Sequence, residues 1–483
     1  MDMNKQTKKI PWDIVLFSAL YIVMPEYFAV EFSAKLPLIT ASRFVLILMG
    51  LMLVIRRRAE FLHFRQLRMR DFKLLLSEDK VLRFGLLGYF TVLLIANLTH
   101  LVAIPAETIK AIFVLIAEQY VLVWLLVLTI DTKQKVLQCL KIMIYASGIV
   151  ALIAAIGVAV DYNLFHLLDT VQREMLKSTY YRLGIMRAEA GFGHPVYYGA
   201  FSAVILPVNM FFIEECEQKR ERLVLCACMA LNLAGLVLSN SRGSLLAFGC
   251  MLVLIVPIKI VMKIGWKMII RYMSILLSGA FVLLTVTAMT PVGTQYLGEI
   301  AESVWETIFP DQDGSSEIGP DEGETSPEKP PVEEKPEIEF GENANGVWSR
   351  MVQLTGIQWT LERSPVFGMG PDAHIRGAIC YEFQENKWWS VPTFDMGVVA
   401  IIGQYGLFGL LGNIMLYAGV LITLFRKKMW TDKVLMMFFF SFATIFLCLL
   451  SVSSMDRTMW VLIGLFVCYL NSREKTSDKE MLK

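Results

Sequence analysis

Ser239-Asn-Ser-Arg-Gly243 sets one arginine between two apolar runs, Leu223–Leu238 and Leu245–Val261. Each run is long enough, or nearly so, to cross the hydrocarbon core of a bilayer. The turn between them is short, so Arg242 is expected at or just inside a membrane face. A cation there is costly and calls for a partner or a water-filled cavity. An arginine fork matches a pair of phosphate oxygens better than a lysine does. Other residues of suitable type lie in polar segments: Arg182, Arg187 and His194 before one apolar run, and Arg350, His374 and Asp395 before another. Arginines can hold an anion, and a histidine or aspartate can move a proton. Plainer readings exist for each. Arg242 could be a snorkelling anchor, Arg350 a helix-end partner of Glu362, and Asp395 the N-cap of a helix starting at Met396. The five histidines are scattered without metal-ligand spacing.

The elements that must position these residues are membrane spans. The 483-residue chain is 55% hydrophobic, and its 18% charged residues fall below the soluble average of about 25%. An all-α polytopic membrane protein is expected, with about 12 transmembrane helices. Their limits are near 12–30, 38–55, 83–103, 109–129, 138–160, 194–213, 223–240, 244–262, 272–292, 396–425, 433–452 and 456–470. Alternate connections are rich in Lys and Arg: Arg56, Arg57 and Arg58; Lys219, Arg220 and Arg222; Lys263, Lys267 and Arg271; Arg426, Lys427 and Lys428. The positive-inside rule makes these cytoplasmic, with both termini inside. The N-terminal apolar run follows Lys5, Lys8 and Lys9 without a small-residue cleavage site, which reads as an uncleaved first helix.

Four units follow from this pattern: helices 1–9 over 1–292, a large extracytoplasmic loop over 293–395 between helices 9 and 10, helices 10–12 over 396–470, and a cytoplasmic tail over 471–483. Within the loop, Asp311–Glu342 holds twelve acids against Lys329 and Lys335, with five prolines, and cannot bury a core. Residues 347–391 contain Trp348, Trp359, Trp388 and Trp389 and read as a helical cap on the membrane. Interfacial anchoring and sugar stacking are both open to these tryptophans. Arg43 and Glu118 lie inside apolar spans, where they would pair with each other or line a lipid cavity. Seven of the eight cysteines lie in or beside apolar spans, so no disulfide framework is implied.

Read in order, four segments resemble one family. They are Arg187-Ala-Glu-Ala-Gly-Phe-Gly-His-Pro195, Ser241-Arg-Gly243, Arg350 with Ser364-Pro-Val-Phe-Gly-Met-Gly-Pro371, and Asp395 with Gly403-Gln-Tyr-Gly-Leu-Phe-Gly-Leu410. Together they resemble the O-antigen ligase/polymerase family of bacterial polysaccharide assembly, over roughly Arg182 to Phe425. The resemblance implies glycosyl transfer from an undecaprenyl-diphosphate-linked glycan to an acceptor glycan hydroxyl, at the outer face of the cytoplasmic membrane. No metal, nucleotide or other cofactor is then needed. Membrane lipid is a further partner, and nucleic acid is not. Arg242 and Arg187 match the family's diphosphate-gripping arginines, and Arg350 a family arginine opening the loop's helix. His194 and Arg182 become possible substrate contacts. Ligases of the family place a histidine followed by asparagine where this chain has Asp395 followed by Met396. That departure favours a polymerase, with Asp395 as candidate base and His374 or His194 as alternatives. A transporter or flippase for polysaccharide or lipid-linked oligosaccharide is the rival class.

Overall fold

The computed structural model describes residues 10–31, 38–58, 74–171, 179–182, 185–261, 346–384, 387–390 and 394–481. The expected span 272–292 and the acidic insert 311–342 lie outside the described residues. The helices are α1 (Trp12–Leu20), α2 (Ala41–Arg56), α3 (Lys80–Thr99), α4 (Pro105–Phe113), α5 (Val121–Thr129), α6 (Lys133–Ala159), α7 (Pro195–Glu215), α8 (Lys219–Leu238), α9 (Arg242–Val261), α10 (Gly346–Arg363), α11 (Gly397–Arg426), α12 (Lys433–Cys448) and α13 (Asp456–Met481). A π-helical stretch, Val114–Tyr120, joins α4 to α5 without a turn. Among the described residues, six helices are long and apolar enough to cross a membrane: α3, the continuous 105–129 helix, α6, α7, α8 and α11. Two shorter apolar helices are Arg242–Ile255 and Lys433–Cys448. This is the architecture of a polytopic membrane protein.

Two expectations need correction. The run 12–30 is not one helix: α1 stops at Leu20, and the chain turns into a two-stranded ribbon, β1 (Ala29–Val30) with β2 (Ile39–Thr40). Pro25 lies in that turn and has no backbone donor for a continuing helix. The chain is also not purely helical. Two further antiparallel ribbons pair β3 (Tyr181–Arg182) with β4 (Ile185–Met186), and β5 (Tyr381–Gln384) with β6 (Lys387–Trp389).

Charged contacts mark one end of the bundle. Asp13 binds Arg56, Arg57 donates to Leu128 O, Asp79 lies near Arg426 and Lys427, and Lys433 binds Glu215. Asp432 meets Arg473 there. These are the connections whose basic residues the positive-inside rule assigns to the cytoplasm. The start of α7, the turn between α8 and α9, and the start of α11 lie at the opposite end.

α3 and α11 pack closely because glycines let their backbones approach, as in many membrane helix pairs. A Cβ on Gly85 would lie 2.6 Å from Met415 O and 3.0 Å from Gly419 Cα. The segment after α10 builds a small separate core from Val352, Ala373, Ile379, Tyr381 and Phe394, set on Val399 and Ala400 of α11. Trp359 Nε1 donates to Ala378 O at 3.1 Å, and Glu382 N donates to Thr355 Oγ1 at 2.8 Å, tying helix, loop and ribbon together.

Candidate functional site

The residues nominated from sequence fall into two braced segments. The first joins residues 187–194 to the turn between α8 and α9. Arg187 donates through Nε to Ser239 O at 3.0 Å and through Nη2 to Asn240 O at 3.2 Å. These carbonyls belong to the end of α8, where backbone acceptors lack intrahelical donors. Asn240 takes a left-handed backbone, φ 47°, which turns the chain sharply into α9. Ser241 and Ser244 hydroxyls share a 2.9 Å bond across the new helix's first turn. Arg242 is the first residue of α9 and is half-buried. A cation at a helix N-terminus opposes the helix dipole, and Arg187 adds a second positive charge at the same turn. Arg187 and Arg242 thus flank the same turn, and neither is among the residues that wall the cavities described below.

His194 is the N-cap of α7, its Nδ1 accepting from Val196 N at 3.1 Å. That bond puts the neutral ring's proton on Nε2, so His194 is a donor. Burial, aided by the Arg187 charge, holds its pKa down at about 4. Tyr180 packs on the ring at 4.4 Å. Arg182 lies half-buried on β3. Glu189 is buried and accepts from Asn163 Nδ2 at 2.7 Å, with His166 Nε2 3.4 Å away. Burial pushes its carboxyl up to about 7, against the Asn163 bond and the Arg187 charge.

The second brace joins the Ser364–Pro371 loop to a break in α11. Gly406 has φ 62° and ψ −157°, a backbone open essentially to glycine alone. The groups freed by the break pair with the loop instead. Met369 N donates to Gly403 O and Gly370 N to Gln404 O, while Leu407 N donates to Pro365 O and Phe408 N to Val366 O, all at 2.9 Å. Irregular backbone inside a membrane protein requires such partners. The approach leaves no room for side chains: a Cβ on Gly406 would lie 2.5 Å from Val366 O, and one on Gly368 2.5 Å from Gly406 N. The two glycine motifs of the sequence are thus the two halves of one joint.

Asp395 is exposed and precedes the helix N-cap, which is Met396 with no capping side chain. The capping reading therefore fails. Gln353 of α10 donates through Nε2 to Asp395 Oδ2 at 2.7 Å and accepts from Asp395 N at 2.8 Å. His374 packs on Phe394 at 4.4 Å, and its Nδ1 is buried without a hydrogen bond. Burial lowers its pKa; Asp372 opposes that shift and Lys110 adds to it. Arg350 is carried on α10, but its side chain lies outside the described residues.

Between the braces lie two adjoining cavities with charged and tyrosine side chains in their walls. One, of about 280 Å³, is walled by Glu107, Lys110, Asp372, Gln404 and Tyr405. The other, of about 480 Å³, is walled by Gly191 to Gly193, Tyr197, Arg43, Glu118 and Arg457. They share Val114, Gln119, Ser454, Met455 and Asp456. Asp456 opens α13 and is solvent-accessible although protein surrounds it. Tyr21, Tyr89, Tyr197, Tyr405 and Tyr417 all lie within its electrostatic reach. Tyr197 bonds Ser453 at 2.7 Å, three residues before it. Sequence reasoning missed Asp456. The available signal was an acid in Ser453-Ser-Met-Asp-Arg457, at the non-basic end of a short span. Among the described residues, no group of His, Cys, Asp or Glu is arranged to hold a metal ion.

No curated protein matches the chain. A family model does: residues 227–414 match that of the O-antigen ligase family. The matched stretch starts in α8, carries Arg242, and ends in α11 beyond the Gly406 break. Over this segment the chain is similar to the O-antigen ligase family.

Proposed function

We propose that the protein transfers a glycan from an undecaprenyl-diphosphate carrier to an acceptor sugar hydroxyl at the outer face of the cytoplasmic membrane. The product is a cell-surface polysaccharide, extended by polymerisation or attached by ligation. One observation carries this reading: the two adjoining cavities lie at the end away from the basic connections, one walled by residues 191–193 of the first motif and the other by Pro371 and Gln404 of the later ones. In the transfer, the acceptor oxygen attacks the anomeric carbon, and the bond to the diphosphate breaks with its electron pair going to the diphosphate. Charge grows on that leaving group, and fixed cations lower the barrier. Arg242 supplies the cation. Arg187, with two of its donors on backbone carbonyls, holds the turn and adds field. Arg350 and Arg182 are further candidates for the carrier's phosphates, and the His194 Nε2–H is a donor toward substrate.

The acceptor's proton must go to a base. Three groups compete. Asp395 accepts a bond from Gln353, and His374 offers a bare Nδ1 beside Phe394. Asp456 alone among them walls both cavities, and we assign it the proton. The reaction as written asks for no metal and no nucleotide.

The test is reconstitution in liposomes with a synthetic undecaprenyl-diphosphate glycan and no ATP. The expected result is a ladder of longer glycans, or transfer to an added acceptor glycan, with release of undecaprenyl diphosphate. Movement of the intact lipid across the membrane without transfer would return the chain to the transporter class.

A further inference from the structure

The two cavities that Asp456 walls have a charge balance of their own. Every cation in their walls is already matched to a carboxylate. Lys110 binds Asp372 at 3.0 Å, Arg43 Nε donates to Glu118 Oε1 at 2.7 Å, and Arg457 Nη2 donates to Glu26 Oε1 at 2.7 Å. The two arginines also donate to backbone carbonyls, those of Leu38 and Met24. Two wall carboxylates are left over: Glu107 in the first turn of α4 and Asp456 at the start of α13. Among the described residues neither makes an ion pair. Arg187 and Arg242 stand at the turn between α8 and α9 and wall neither cavity. The walls therefore carry surplus negative charge, and the arginines assigned to the diphosphate lie outside them.

The uncharged part of the smaller cavity is rich in amides: Asn97, Gln119, Gln404 and Asn413. An amide both donates and accepts, as a sugar hydroxyl does, so either can satisfy the other. Asn97 is the sharpest case. It is 1% exposed, its Nδ2 donates to Leu93 O at 2.8 Å, and its Oδ1 accepts no hydrogen bond. A buried acceptor without a donor is costly, and a ligand hydroxyl at this wall supplies one. Small-ligand sites hold about 300–1,000 Å³. The adjoining cavities, about 280 and 480 Å³, taken together fall in that range.

We propose that these cavities seat the terminal sugar of the acceptor glycan, and that their surplus acid selects a neutral or amino sugar over an acidic one. The proposal rests on the transfer reading above. The base assigned there, Asp456, walls both cavities, and the hydroxyl it deprotonates belongs to the acceptor. A uronic acid or phosphorylated sugar brings a further negative charge against Glu107 and Asp456. Like charges set against each other exclude the wrong partner. An ammonium group meets unpaired acid instead. The same charge turns the carrier's diphosphate away from the chamber and leaves it to the turn that holds Arg242.

The test uses full-length protein in liposomes, the undecaprenyl-diphosphate donor and three synthetic acceptor oligosaccharides. These differ only at C6 of the terminal sugar, which carries a carboxylate, a carboxamide or an aminomethyl group. The carboxamide has the carboxylate's size without its charge. The carboxylate acceptor should show a kcat/KM about tenfold below that of the carboxamide, and the gap should narrow at high salt. The aminomethyl acceptor should match or exceed the carboxamide. Glu107→Gln keeps the side chain's shape and removes one surplus charge. The readout is the carboxamide-to-carboxylate ratio rather than the absolute rate, and it should fall from about tenfold to about threefold. Equal kcat/KM for carboxylate and carboxamide, or a ratio unmoved in Glu107→Gln, overturns the proposal. Discrimination that appears only when the donor's sugar carries the carboxylate gives the chamber to the donor and also overturns it. Isothermal titration of the same oligosaccharides reads the preference without turnover. Failure of the transfer reading looks different: no acceptor is extended, while titration still ranks the carboxamide above the carboxylate.

Discussion

The two braces hold their segments by opposite means. At 187–242 a side chain does the holding: one arginine fork grips two carbonyls and leaves Arg242 at a helix start. At 364–408 the backbone does the holding, with four backbone hydrogen bonds and two glycines that admit no Cβ. A charge brace can be weakened by degrees and places charge where an anion is wanted. A backbone brace either closes or does not, and it fixes the position of what flanks it. Chemistry is then expected in the cavities between them, and the variants below separate holding from reacting.

The largest effect is expected from Asp456→Asn. If the proton goes there, the amide cannot take it, and turnover should fall about 10²- to 10⁴-fold with donor KM nearly unchanged. Asp395→Asn should do less, because the amide oxygen can still accept from Gln353 Nε2. Single-turnover assays on both variants decide the point. Near-normal turnover in Asp456→Asn with loss in Asp395→Asn would move the base from the cavity wall onto the second segment.

Arg242 comes next. Arg242→Ala should slow transfer about 30- to 1,000-fold, from loss of roughly 2–4 kcal/mol of leaving-group stabilisation. Arg242→Lys should fail nearly as badly, since it keeps the charge and loses the planar fork. Neither should unfold the protein, because Arg242 is the half-buried first residue of its helix. Full activity in the lysine variant would reduce the residue to a local positive charge. Full activity in the alanine variant would remove it from the site.

For the backbone brace the prediction concerns stability. Gly406→Ala puts an L side chain into a region costing about 1–3 kcal/mol and drives its Cβ against Val366 O at 2.5 Å. The joint should open and melting in detergent should fall by several degrees. Gly193 is the control: its φ is 69°, yet nothing lies within 4 Å of an added Cβ. Gly193→Ala should therefore show strain alone, about 1 kcal/mol. Equal losses in both would mean that the close approach adds nothing beyond backbone strain.

Much of this was legible in the sequence because membrane spans and glycine motifs are local signals. The ends of α6, α7 and α11 lie within a few residues of the expected limits, and Arg43 pairs with Glu118 as two charges in apolar spans should. What was not legible required distant partners. The loop's glycines read as a turn, but nothing local shows that the turn pairs with a helix break some forty residues later. Asp395 looked like a cap because the sequence does not show Gln353 arriving from α10. Asp456 is an ordinary acid before a short span until the cavities are seen around it. The Tyr381–Trp389 ribbon alternates with period two over too few residues to stand out from its helical neighbours.

The smallest effect tests whether the charge brace depends on pH. Glu189 is two residues from Arg187, and burial raises its carboxyl from 4.5 to about 7. The folded state thus holds a proton more tightly than the unfolded chain. Stability from this site is fully present below about 4.5 and is lost as pH rises through about 7, where the buried group must ionise. Above that pH the loss is complete and the curve is flat. The Arg187 charge already holds that value below what burial alone would give. Hydrogen exchange of the amides of 185–194 should quicken between pH 5 and 7.5 beyond the intrinsic chemical increase. In Glu189→Gln that excess should vanish, while the Asn163 bond keeps an acceptor. An excess that persists in Glu189→Gln would assign the pH response to His166, 3.4 Å away, and leave the Arg187 brace independent of its neighbouring acid.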